Sequence, residues 1–74
     1  MAATSIYDTR PSQRTLTLPE QYGRNMAHEY FDRGEDHDSA RFFVRMGAAH
    51  TFEDVEYTAH ALNSFDATWA TLVD

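Results

Sequence analysis

Apolar positions recur at helical spacings along most of this chain. From Leu18 onward, Tyr22, Met26, Ala27, Tyr30 and Phe31 return every three to five residues, which puts them on one helix face. Thr17-Leu18-Pro19-Glu20 has the form of a capping box, so a first helix is expected to begin at Thr17 or Leu18. Thr17 and Glu20 can satisfy free backbone N–H groups there, and Pro19 has none to satisfy. Gly23 interrupts the pattern at a cost of about 1 kcal/mol relative to Ala. Gly34 reads as the stop, with Arg33 beside the negative helix end.

The clearest periodicity comes last. Val55, Thr58, Leu62, Phe65, Trp69 and Leu72 follow at spacings of three, four, three, four and three, a heptad seam. Thr51-Phe52-Glu53-Asp54 reads as the capped start of this helix, with acids where the helix dipole favours them. Glu53, Glu56, His60 and Asn63 fall on the side opposite the seam. Between the two helices, Asp38 or Ser39 is expected to cap a third, over residues 40–49. Its apolar positions (Phe42, Phe43, Val44, Met46, Ala49) are too dense for a single stripe, and Phe42-Phe43-Val44 also fits a buried strand. Residues 1–13, with Pro11 in a turn context, read as a flexible segment. Leu16 and Leu18 alternate with threonines over Arg14–Leu18, the period of a short strand or extended piece.

The expected fold is therefore all-α: a small three-helix bundle over residues 14–74, with a small α+β fold as the alternative. Trp69, Phe65, Phe43, Tyr30 and Met26 are the core candidates. The seam of the last helix also offers a surface to a second copy, which makes a homodimer one expectation.

Composition narrows the function. Seventy-four residues make one domain, and the absence of Cys excludes disulfides and thiolate zinc sites. No apolar run approaches the roughly 18 residues a membrane span needs. Met1 to Ser5 lack the basic and apolar regions of a secretory signal, so the cytoplasm is the expected location. Twelve acids oppose six basic residues, all of them Arg, for a net charge of −6. Such a chain should repel nucleic acid and anionic membranes and attract basic surfaces. All the Arg lie in the first 45 residues; from His50 onward there are five acids (Glu53, Asp54, Glu56, Asp66, Asp74) and no Arg.

Reactive constellations are weak. His28-Glu29-Tyr30-Phe31-Asp32 begins like a zinc-protease helix, but Asp32 stands where the second His belongs. Asp36 and Asp38 supply alternate acids, yet Ala40 and Arg41 break the calcium-loop pattern, and helix capping explains the acids better. No serine sits in a nucleophile elbow, and the glycines at 23, 34 and 47 form no phosphate loop. Glu56 and His60 are one turn apart and fit an ordinary surface pair. No catalytic residue, metal ligand or cofactor is expected, and the chain is not expected to be an enzyme; a metal-dependent enzyme using His28 and Asp32 is the remaining alternative.

The acidic surface is what remains. Glu53, Asp54 and Glu56 lie within a turn of one another, with Asp66 further along, and the connector acids Glu35, Asp36 and Asp38 extend the row if the bundle brings them near. Carboxylates on a rigid helix imitate the closely spaced charges of a nucleic-acid backbone toward an Arg/Lys groove. A solvated face that keeps a small protein soluble accounts for the same residues. Tyr7, Tyr22 and Tyr57 are candidate anchors, and Arg10 and Arg14 a candidate second arm. In size and composition the chain resembles small phage and mobile-element proteins that inhibit host machinery, anti-CRISPR proteins and DNA mimics among them. That resemblance implies a stoichiometric inhibitor of a basic, nucleic-acid-binding host protein; it carries no residues over.

Overall fold

Thr17 starts the first helix by the reciprocal bonding its sequence predicts. Its hydroxyl accepts from the Glu20 amide (3.4 Å) and its own amide donates to the Glu20 carboxylate (2.9 Å). The computed structural model describes residues 16–74 and has three helices there: α1 (Leu18–Asp32), α2 (His37–Phe52) and α3 (Val55–Val73). The described residues hold no strand, so the α+β alternative falls and Leu16 and Thr17 lead straight into α1. The remainder of the expected extended piece, Arg14 and Thr15, and the segment 1–13 lie outside the described residues.

Gly34 ends α1 at φ +82°, with its own amide donating to Phe31 and that of Glu35 to Tyr30 (both 3.1 Å). Together these bonds close a left-handed cap that glycine adopts without a Cβ clash. α2 is longer than expected. Its cap is Asp36, not Asp38 or Ser39: the Asp36 carboxylate accepts from the Ser39 amide (3.1 Å), so the helix begins at His37. It also runs past Ala49 to Phe52, because no glycine or proline intervenes to stop it. Thr51 and Phe52 are consequently the end of α2, not the start of α3. Asp54 caps α3 instead, accepting from the Tyr57 amide at 2.9 Å.

Contacts along the helices set their directions. Ser64 donates to the Glu20 carbonyl (2.7 Å), and further along the same pair Phe31 meets Trp69 edge to face at 5.3 Å, so α1 and α3 run parallel. Tyr22 meets Phe52 and Tyr30 meets Phe43, so α2 runs antiparallel to α1. The closest approach is between α1 and α3. A Cβ on Gly23 would overlap the Ala61 carbonyl oxygen and lie 2.9 Å from the Phe65 amide nitrogen. Gly23 is therefore what lets the two backbones meet. Gly47 plays a softer version of this role, leaving room on α2 for the Tyr22 hydroxyl. Burial, reinforced by the neighbouring Tyr30, pushes the Tyr22 phenol above its ordinary pKa.

The core is Ala27, Ala40, Val44, Leu62, Phe65 and Trp69, with Tyr22, Met26, Tyr30, Phe31 and Leu72 packed around it. Most of the expected seam is thus spent inside the bundle. Val55 is the exception: it is 89% exposed at the corner before α3. Phe43, expected in the core, is half exposed. α2 turns Ala40, Val44 and Ala48 inward and leaves Phe42, Phe43 and Met46 outside. The dense apolar pattern of α2 is two faces of one helix, with the small side chains inside and the large ones out. No described helix is long and apolar enough to cross a membrane.

Candidate interaction surface

The seven predicted contact acids separate into two groups. Glu53, Asp54 and Glu56 lie at the α2–α3 corner. Glu35 and Asp36 lie in the α1–α2 connector and Asp38 in the first turn of α2, and Asp66 is tied to that end through α2. The two corners are separated by the full length of α2, about 24 Å for its 16 residues. The connector acids therefore do not extend the row begun by Glu53.

The α2–α3 corner is built by a tight reversal. Glu53 takes left-handed backbone angles (φ 51°, ψ 40°), and its amide donates to Ala49 at 3.0 Å. It is the one non-glycine residue with positive φ among those described. Asp54 then returns to extended angles. Its carbonyl accepts from the Thr58 amide (3.0 Å) and hydroxyl (2.9 Å). Phe52 braces the turn between the rings of Tyr22 (5.7 Å) and Tyr57 (6.1 Å), both edge to face. The result is a shallow apolar notch of Ala49, Val55 and Thr58 with Glu53 and Asp54 on its rim. Glu53 and Glu56 are exposed and form no ion pair among the described residues. Glu56 does not pair with His60 either, and both stay in solvent.

The other end is mostly structural. The Ser39 amide donating to Asp36 holds that carboxyl below its ordinary pKa, as a helix cap should. Asp66 is compensated: Arg41 Nε donates to both its oxygens (3.1 and 3.0 Å), and His37 Nε2 lies 3.0 Å from Oδ1. His37 is itself fixed by stacking on Phe65 at 5.7 Å and by the edge of Trp69 at 5.6 Å. Asp66 thus ties α2 to α3. Asp38 lies 3.4 Å from His37 Nδ1 and is otherwise in solvent, with its side chain 98% exposed.

His28 and Asp32 are both exposed on α1, and no group of three or more His, Asp or Glu side chains converges on a metal-sized site among the described residues. Of the aromatic anchors, Tyr57 is half exposed and Tyr22 is turned into the bundle; Tyr7, Arg10 and Arg14 lie outside the described residues.

One surface has no counterpart in the periodicity of the chain. Phe42 (50% exposed), Phe43 (49%) and Met46 (55%) form an outward aromatic face on α2, with the Arg45 guanidinium 5.9 Å from the Phe42 ring centre. Its signal was the excess of large apolar residues in that segment, which periodicity alone cannot assign to a face. No protein-family model, curated protein or solved structure matches the chain.

Proposed function

We infer that this chain is a small non-enzymatic binding protein that docks its acidic α2–α3 corner on a basic, nucleic-acid-binding partner in a host cytoplasm and inhibits it stoichiometrically. This is the mode of action of phage and mobile-element anti-defence proteins such as anti-CRISPRs. The observation that carries the reading is Glu53. A glutamate held in left-handed backbone geometry costs about 1–2 kcal/mol, and glycine would avoid that cost. Residues kept in such geometry cluster where side chains have work outside the fold. Here the side chain is an unpaired carboxylate beside Asp54, on the rim of an apolar notch. An Arg or Lys of the partner fits that notch, its stem on Val55 and its charge at Glu53 and Asp54. Asp66 is occupied by Arg41 and His37, and Asp36 and Asp54 each cap a helix, so the contact set contracts to Glu53 and Glu56, with the second oxygen of Asp54 beside them and Asp38 and Glu35 as a separate secondary group. The charges reproduce at most a short stretch of nucleic-acid backbone, not a long one.

The test compares wild-type chain with Glu53→Arg/Glu56→Arg as bait in host lysate at low and high salt. A basic nucleic-acid-binding protein retained by wild type at low salt, and lost from the double variant while its circular dichroism is unchanged, is the expected outcome. Equal retention by the double variant would overturn the reading. Glu53→Gly adds a sharper arm. It should stabilise the fold by roughly 0.5–1 kcal/mol, the backbone cost less the extra chain entropy of glycine, and still weaken binding.

A further inference from the structure

α2 is built the wrong way round for a helix whose only task is to close a bundle. Its inner positions are Ala40, Val44 and Ala48, all essentially inaccessible, while Phe42, Phe43 and Met46 stand half exposed. Contiguous exposed aromatic surface on so small a domain marks an interaction site. The charges on this face indicate what covers it. A shallow depression beside Phe42 is lined by Asp38, Arg41, Phe42 and Arg45. The Arg41 charge is already held by Asp66. Asp38 touches only the adjacent His37 ring (Nδ1 to Oδ1, 3.4 Å) and is otherwise in solvent, and Arg45 forms no ion pair among the described residues, so the face offers one carboxylate and one guanidinium to a partner. They stand seven residues apart on the same helix, about 10.5 Å along its axis.

We propose that this face is a self-association surface, on which a second copy of the chain docks with its α2 antiparallel to the first. A two-fold interface must contain both a group and its complement, because every contact occurs twice. An axis passing between positions 41 and 42 sets Asp38 of each copy opposite Arg45 of the other and brings the two Phe42 rings together in the paired depressions. The net charge of −6 opposes dimerisation overall, but Asp38 and Arg45 balance each other on this face, so two copies meet here without local like-charge repulsion. The interface uses α2 and leaves the α3 seam buried and the Glu53 corner free, so it stands independently of the inhibitor reading.

Sedimentation equilibrium of the full chain over a series reaching about 1 mM tests the proposal. Wild type is expected to dimerise reversibly. Asp38→Arg or Arg45→Asp alone should weaken the dimer at least about tenfold, because each creates two like-charge contacts. The combined Asp38→Arg/Arg45→Asp variant should recover it to within about threefold. Both single changes and their combination lie at exposed positions, and helix content by circular dichroism checks that each folds. Phe42→Ser should abolish association, and Glu53→Arg/Glu56→Arg should leave it unchanged, which separates this interface from the acidic corner. A wild-type chain monomeric throughout would overturn the proposal, whether the face is covered by residues 1–15 or by a different protein. So would a combined variant no more dimeric than either single one.

Discussion

At Gly23 two residue-scale effects oppose each other. Intrinsic propensity says that alanine in a helix interior is better than glycine by about 1 kcal/mol. The fold says that a Cβ at this position enters the Ala61 carbonyl, which is backbone and cannot swing aside. Overpacking of a tight contact costs roughly 1–3 kcal/mol, so the steric effect wins. Gly23→Ala is therefore expected to destabilise the protein by that amount, read as a lower urea midpoint, whereas a gain in stability would show that α1 and α3 do not approach this closely. Gly47 differs in kind. The obstacle there is the far end of the Tyr22 side chain, which can rotate away. The same logic separates the predicted contact acids: Asp36, Asp54 and Asp66 have partners that explain them within the fold, and Glu53 and Glu56 do not.

Each of the three elements begins at a side-chain cap, and the caps carry the pH dependence. Asp36 holds α2 by accepting the Ser39 amide, and this bond keeps its folded-state pKa below the ordinary 3.8. A depressed carboxyl contributes stability that is fully present above the unfolded value and is lost as pH falls through the folded one. Acid unfolding below about pH 4 should therefore include a fraying of the α2 start, visible as loss of amide protection at Ser39 and Ala40. Asp36→Asn keeps a capping side chain but removes the titration, so the α2 contribution to the acid transition should flatten. An unchanged acid transition in that variant would assign the effect to other carboxylates. α2 is also where the sequence was hardest to read. Its inner face is made of small residues, and the larger apolar side chains outside mask which side of the helix meets the core.

For the whole molecule, a chain of 74 residues has a stability of roughly 4–11 kcal/mol. Phe65 is fully buried and touches Trp69 and the His37 ring, which links the core to the Asp66–Arg41 tie. Phe65→Ala should cost about 3–5 kcal/mol, a large share of that stability, so its melting temperature should fall steeply. Phe42→Ala, on the half-exposed face, should cost well under half as much at concentrations too low for association. Thermal melts of the two variants check the contrast. Comparable losses would mean that the outer face of α2 is covered within a single chain. The bundle also decides which acids act together. By holding α2 straight for its full length, it keeps the Glu53 and Asp38 groups about 24 Å apart.

The order of residues along the chain was enough for whatever depends on neighbours a few positions away. The Thr17–Glu20 box, the Gly34 stop, the all-α class and the inward face of α3 from Leu62 to Leu72 follow from capping chemistry and a 3.6-residue period, both local. The α2–α3 boundary was misplaced because Glu53 reverses the chain in a geometry that its residue type does not advertise. Packing between helices settled the rest: that Gly23 is a backbone contact, that Asp66 belongs to Arg41 and His37, that Phe43 faces outward, and that the acids form two groups instead of one row. Each of these depends on which helix lies opposite. The contacts that fix this join residues 13 or more positions apart, and most of them 25 or more, separations that no local pattern encodes.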